Sequence, residues 1–330
     1  MEGVLTGIAA DVAGVKAALY FGSESANRMP RPRDRQLSYT ASMATAPNLV
    51  QLAVPAGPLD PAVAAAKQER LFAILREMGD VMVAYSGGTD SAYLAWAAHQ
   101  VLGDRAVAIT ADSASIPESH KRDAEEFARE IGFRHEYIFT NEFDNPDYVK
   151  NDINRCFHCK DELFTQLEAL GAERGVAHII YGVNQDDLGD YRPGQRAAKL
   201  HDVKAPLVDA GLFKAEIREL SRLAGLRVWD RPASACLSSR IPYGTAVTPE
   251  VVKTVERGEE AIRALGFRQF RVRFHKDLVR LEIDRAELPR ALSMEMAAAF
   301  TMIFKELGFH YVTIDLEGYR QGSLNVGIAH

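Results

Sequence analysis

The sequence predicts an α/β protein built on a parallel sheet, followed by a smaller α+β domain. Three observations predict it. Between Asp80 and Asn184, nearly continuous apolar runs alternate with amphipathic helical runs, the pattern of strands buried between two layers of helix. The first of these strands breaks at a Ser-Gly-Gly turn and resumes at once as a helix. After about Asp230 the order becomes helix, hairpin, helix, strand. The expected boundaries are an N-terminal extension over 1–60, the parallel-sheet domain over 61–230 and the α+β domain over 231–330.

The elements follow in order. Residues 1–60 show no sustained periodicity, and "ESANRMPRPRDRQLSYTASMATAP" is polar and Pro-containing, so disorder is expected there, with Met43 an alternative start. "PAVAAAKQERLFAILREMG" predicts a first helix ending at Gly79. Strand "DVMVAYS" leads to helix "SAYLAWAAHQVL", strand "RAVAITADS" to helix "PESHKRDAEEFAREIG", and strand "RHEYIFT" to helix "CKDELFTQLEALGAERG", before strand "AHIIYGVN". Ligands of such sheets bind at the C-terminal ends of the strands, where Ser86, Asp112 and Asn184 fall. In the second domain, helix "PEVVKTVERGEEAIRALG" precedes strands "RQFRVRF" and "LVRLEID", joined by "HKD", then helix "ELPRALSMEMAAAFTMIFKELG" and strand "YVTIDL". An antiparallel sheet with one face open to solvent or a partner is expected.

Bulk composition narrows the classes. At 330 residues the chain exceeds what one core usually holds, and 47% apolar with 25% charged residues is ordinary for a soluble globular protein. A net charge of −6 argues against a partner made mostly of phosphate backbone, so nucleic acid is not expected. No apolar run reaches membrane-span length and the N-terminus lacks a secretory pattern, so a cytoplasmic protein is expected. The three cysteines, Cys156, Cys159 and Cys236, cannot close a disulfide framework, which favours metal binding or thiol chemistry.

"SGGTDS", between strand and helix, gathers backbone N–H groups and a helix N-terminus around one point, a site for phosphate. Gly87 and Gly88 allow close backbone approach. No Lys follows, so this is not the G-x-x-x-x-G-K-[ST] loop; a plain Gly-rich turn is the alternative. Paired carboxylates at Asp186 and Asp187 suit Mg²⁺ or, alternatively, an acidic helix cap. Arg192 can clamp a phosphate or pair with one of these acids. Arg271 and Arg273 share one strand face, as do Arg280 and Glu282. Two guanidiniums there can grip a phosphate, Glu282 can hold a metal or pair with an Arg, or the set is a solvated charged face.

"SGGTDS" resembles the PP-loop of the ATP pyrophosphatases, which split ATP between its α and β phosphates and adenylate a substrate. The resemblance implies the adenine nucleotide alpha hydrolase-like fold. It also implies ATP contacts from Ser86, Gly87, Gly88, Thr89, Asp90 and Ser91, from Thr110, Ala111 and Asp112 at the second strand end, and from Gly182, Asn184 and Arg192. "YGVNQDDLGDYRPG" resembles a second segment of that superfamily, with Asp186 and Asp187 as Mg²⁺ candidates.

"RPASACLSSRIPYG" is similar to the LarE family of sulfur transferases, which act in nickel-pincer nucleotide cofactor biosynthesis. The similarity runs from about residue 65 to 325 and includes "NRCFHCK" and the C-terminal hairpin. It implies that carboxylates of pyridinium-3,5-biscarboxylic acid mononucleotide are adenylated and become thiocarboxylates, because AMP is a far better leaving group than oxide. Cys236 stands where the family keeps its sulfur-bearing cysteine, with Arg240, four residues on, a nearby cation to activate it. A small buried hydrophobe is the plain alternative. Ser239, Arg240, Arg271, Arg273 and Glu282 are substrate candidates.

Some members carry three cysteines, which resemble a 4Fe–4S site with one iron left open for a sulfide or other sulfur donor. Cys156, Cys159 and Cys236 match that set; a sacrificial Cys236 and a zinc site stay open beside it. His158, inside the CxxC, would point away from a metal held by its neighbours. Family members assemble into larger rings, so a homo-oligomer is expected. The rival readings are a tRNA 2-thiolation enzyme, an NAD- or GMP-synthetase-like amide ligase and a non-catalytic ATP-binding regulator with zinc.

Overall fold

The computed structural model describes residues 59–189, 193–232 and 235–320. The expected N-terminal extension and Arg192 therefore lie outside the described residues, apart from Leu59 and Asp60 at the extension's end.

Helix α1 (Pro61–Met78) starts where the Asp60 side chain accepts from the Ala62 N–H and stops at Gly79, whose φ is 74°. Then come β1 (Val81–Ala84), α2 (Thr89–Leu102), β2 (Ala106–Asp112), α3 (Glu118–Ile131) and β3 (Arg134–Phe139). A single turn, α4 (Pro146–Val149), precedes α5 (Arg155–Arg174), β4 (His178–Tyr181), α6 (Pro193–Leu200), α7 (Pro206–Asp209) and α8 (Lys214–Leu223). The sequence reading left α6 to α8 unassigned, and it began α5 at Cys159. Starting at Arg155 instead puts Cys156 and Cys159 three residues apart on one face of the helix's first turns.

The four strands form an all-parallel sheet in the order β3-β2-β1-β4. Alternate β1 residues enter opposite cores, which is why the strand reads as an apolar run. Val81 and Val83 join α1, α2 and α3 through Leu71, Leu75, Leu94 and Phe127. Met82 and Ala84 join α5 and α6 through Leu163, Phe164, Leu167 and Ala197.

The remaining elements are α9 (Pro249–Ala264), β5 (Phe270–His275), β6 (Leu278–Ile283), α10 (Leu288–Ala291), α11 (Met294–Glu306) and β7 (Tyr311–Ile314). The helix expected over 287–308 is interrupted at Ser293, whose side chain caps α11 by accepting from the Met296 N–H. The three-stranded sheet runs β5-β6-β7. The hairpin β5–β6 is antiparallel as expected, but β7 lies parallel to β6. The helical crossover through α10 and α11 returns the chain in its original direction, which a hairpin cannot do. Val272, Val279, Leu281 and Ile283 pack on α9 and α11, and Tyr148 of α4 is buried in the same core.

Candidate active site

In the first sheet the chain leaves β1 toward β2 and later returns to β4 on the other side of β1. The loops after β1 and β4 therefore diverge, and a crevice opens at the strands' C-terminal ends.

The β1–α2 loop is organised mostly by its own residues. Ser86 Oγ and Ser91 Oγ lie 3.0 Å apart, Ser91 Oγ also accepts from the Ser86 N–H, and Gly88 caps α2 without any side-chain hydrogen bond. Gly87 has a φ of 71°, and a Cβ there would stand 3.0 Å from the Ala124 Cβ, so glycine answers two constraints at once. Thr89 Oγ1 donates to the Val228 carbonyl, and Arg231 Nη1 donates to the Gly87 carbonyl at 2.7 Å. Gly182, just past β4, packs so closely on the loop that a Cβ would stand 2.6 Å from the Ser91 backbone nitrogen.

Asp90 Oδ2 accepts from Lys214 Nζ at 2.7 Å, while its Oδ1 is buried without a hydrogen-bond partner. Burial pushes the Asp90 carboxyl up and the Lys214 ammonium pulls it back. Lys214 also ties in the acidic segment, since its N–H donates to Asp186 Oδ2 at 2.7 Å. The Asn184 N–H donates to Asp187 Oδ2, so each aspartate has one oxygen in a capping contact. Lys214, absent from the sequence reading, lies 124 residues from Asp90.

Thr110 Oγ1 is buried between the Tyr85 carbonyl and His135 Nε2. Asp112 pairs with Lys121 at 2.7 Å, and the partly buried Ala111 stands between Thr110 and Asp112 on the strand.

The second half of the site begins where β2 ends. The Leu237 N–H donates to the Ser115 carbonyl at 2.8 Å, so the Cys236 turn docks at the strand-end side of the sheet. Next to it Glu142, 1% exposed, accepts from the hydroxyls of Ser113, Ser115 and Thr140. The three thiols lie within electrostatic reach of one another. Cys156 is exposed, whereas Cys159 is partly buried and burial, then Glu142, pushes its thiol far up. Among the described residues no group of three or more His, Cys, Asp or Glu is arranged to hold a metal ion.

Arg240 is 1% exposed and forms a buried bidentate pair with Glu259 at 2.8 and 3.0 Å. Its Nη1 donates to the carbonyls of Ala235 and Cys236 and to Ser239 Oγ, so it grips the turn that carries the thiol. Arg273 Nη1 donates to the Ser239 carbonyl, and Glu282, wholly buried, bridges Arg273 at 2.7 Å and Arg280 at 3.1 Å. This strand face is thus an ordered ionic network rather than a solvated one. Arg271 lies over the Tyr319 ring at 4.9 Å, and burial followed by the Arg240 charge holds its pKa below the usual arginine value. Arg155, 4% exposed, donates from Nη1 to Asn151 Oδ1 and to the Ser238 carbonyl.

A parallel sheet with a serine–glycine loop at its crevice, beside a turn that carries a partly buried thiol, defines an enzyme of the PP-loop ATP pyrophosphatase type. Comparison with known proteins agrees. The chain is 34% identical over 266 residues to the pyridinium-3,5-bisthiocarboxylic acid mononucleotide synthase of Lactiplantibacillus plantarum, covering 80% of this chain and 95% of that protein. It is 44% identical over 259 residues to an uncharacterized Synechocystis protein, covering 78% and 97%. It is 27% identical over 207 residues to a glutamine-hydrolyzing GMP synthase polypeptide of Archaeoglobus fulgidus, covering 56% and 64%. No family profile matches the chain. The chain belongs to the LarE family of sulfur transferases. Among the described residues no helix is long and apolar enough to cross a membrane.

Proposed function

We propose that the protein cleaves ATP to AMP and pyrophosphate, adenylates the carboxylates of pyridinium-3,5-biscarboxylic acid mononucleotide and converts them to thiocarboxylates. The product matches the compound named for the Lactiplantibacillus relative. The observation that carries the reading is the Leu237–Ser115 hydrogen bond of 2.8 Å, because it docks the Cys236 turn beside the end of the strand next to the pyrophosphate loop.

In this reading Ser86, Gly87, Gly88, Thr89 and Ser91 hold the pyrophosphate portion of ATP with their amides and hydroxyls. Thr110, Ala111, Asp112, Gly182, Asn184 and Arg192 line the rest of the nucleotide. The partnerless Asp90 Oδ1, with Asp186 and Asp187, suits a Mg²⁺ ion arriving with ATP. The carboxylate displaces pyrophosphate to give an acyl-adenylate. A sulfur nucleophile then attacks its carbonyl carbon, the new C–S bond forms and AMP leaves with the electron pair. Arg271 and Arg273 grip the substrate's phosphate, Ser239 lies beside them, the buried Glu282 holds Arg273 and Arg280 from beneath, and Arg240 keeps the Cys236 turn in place. Residues 61–230 act as the nucleotide domain and 231–330 as the substrate and sulfur domain of a cytoplasmic homo-oligomer.

Cys156, Cys159 and Cys236 are the ligands we assign to a 4Fe–4S cluster. Three soft thiols are the donor chemistry such a cluster takes, and the Arg155–Ser238 hydrogen bond ties the helix carrying two of them to the turn carrying the third. When bound, the cluster supplies an iron without a protein ligand, to which an external sulfide can attach.

The test is product analysis with ATP and the substrate mononucleotide. AMP and pyrophosphate are expected, and Asp90→Ala should lower their formation at least about a hundredfold. ADP and phosphate from the wild type would overturn the proposal.

A further inference from the structure

We infer that Arg155 is a positioning residue of the sulfur half: it staples the helix carrying Cys156 and Cys159 to the turn carrying Cys236, with its cation beside the thiols. The inference rests on the sulfur-transfer reading for its purpose, although not for its geometry.

A guanidinium that is 4% exposed is costly unless its donors are used. Nη1 of Arg155 spans two segments, reaching Asn151 Oδ1 at 2.6 Å and the Ser238 carbonyl, 83 residues away, at 2.8 Å. Asn151 is itself fully buried, with a φ of 58°, and its Nδ2 donates to the carbonyls of Ile241, Pro242 and Thr245. Arg155 and Asn151 together therefore grip the chain just after Cys236 from Ser238 to Thr245. The Tyr148 hydroxyl meets Ser238 Oγ at 2.7 Å, and the Tyr243 ring lies 5.7 Å from the guanidinium. The groups that surround its charge are the thiols of Cys236 and Cys156 and the phenols of Tyr148 and Tyr243. A guanidinium so placed ties the helix that carries Cys156 and Cys159 to the turn that carries Cys236.

The experiment uses the reduced, metal-free, full-length chain and dibromobimane. This reagent joins two nearby thiols as each sulfur displaces one bromide. Peptide mass spectrometry then gives the ratio of Cys156–Cys236 to Cys156–Cys159 bridges. The second bridge lies within α5 and serves as the internal reference. Arg155→Met should lower the ratio about tenfold, the value of one charged hydrogen bond. An unchanged ratio would overturn the inference. If the Met variant lacks a cooperative melting transition, Arg155→Gln decides by the same criterion. With substrate present, the folded variant should lose thiolated product by a fall in kcat, with the KM for ATP within about twofold of wild type. A raised KM for ATP with unchanged kcat would count against the role. A wild type that makes no thiolated product would fail the functional reading, while the bridging ratio would still judge Arg155.

Discussion

The two halves of this site are built in opposite ways. The β1–α2 loop is braced chiefly within itself, for Ser86 and Ser91 meet within six residues, with Val228 and Arg231 joining it from afar. The sulfur half is assembled from distant segments. Arg155 reaches 83 residues to Ser238, Arg240 pairs with Glu259 19 residues on, and Arg273 reaches back 34 residues to Ser239. A loop whose serines brace each other depends on fewer distant partners. A pocket held by buried ions depends on each partner.

Breaking the buried pair in the sulfur half should have the largest effect on stability. Arg240→Met leaves Glu259 uncompensated and should cost about 3–5 kcal/mol by denaturant unfolding. A loss below about 1 kcal/mol would place this pair in the class of surface ion pairs, against its burial.

Arg271→Ala sharpens the contrast between nucleotide and substrate binding. Loss of one charged hydrogen bond to a phosphate should weaken the substrate mononucleotide about ten- to hundredfold and leave ATP affinity nearly unchanged. Arg271 is the cleaner test of the two arginines, because Arg273→Ala would also leave the fully buried Glu282 with a smaller ionic network. Equal substrate affinity in Arg271→Ala and wild type would assign this side chain to packing on Tyr319.

The smallest effect concerns the seam between the halves. The pKa of His120 on α3 is lowered to about 4 by burial and by the Arg240 charge, with Glu259 opposing and Arg263 and Arg231 adding to the depression. The unfolded chain takes up that proton near pH 6.5, so between about 6.5 and 4 the unfolded state binds more protons. Stability should therefore fall as the pH drops through that window, and His120→Gln should flatten the fall. Unfolding curves with the same pH slope in both proteins would remove His120 from the account.

The same contrast explains what was legible in the sequence. Strand and helix alternation and the serines and glycines of the loop rest on neighbouring residues, and they could be read directly. Lys214 beside Asp90, Arg155 beside Ser238 and the Glu142 hydroxyl cluster join residues far apart in sequence, and no local pattern announces them. The parallel placement of β7 escaped the reading for a related reason. A crossover's direction depends on how α11 packs, which strand periodicity does not encode. Arg240 was read as a cation for the thiol; its place in the chain could not reveal the Glu259 partner that holds it in the core.

The central claim is that the loop and the thiol pocket act in sequence on one carboxylate, with sulfur supplied from outside the chain. It is tested most directly by anaerobic turnover with ATP, the substrate mononucleotide and added sulfide, counting thiolated product per protein chain and weighing the Cys236 peptide. The account predicts more product than protein, with the Cys236 mass unchanged. A burst that stops at one product per chain, with Cys236 about 34 Da lighter through loss of H₂S, would contradict it.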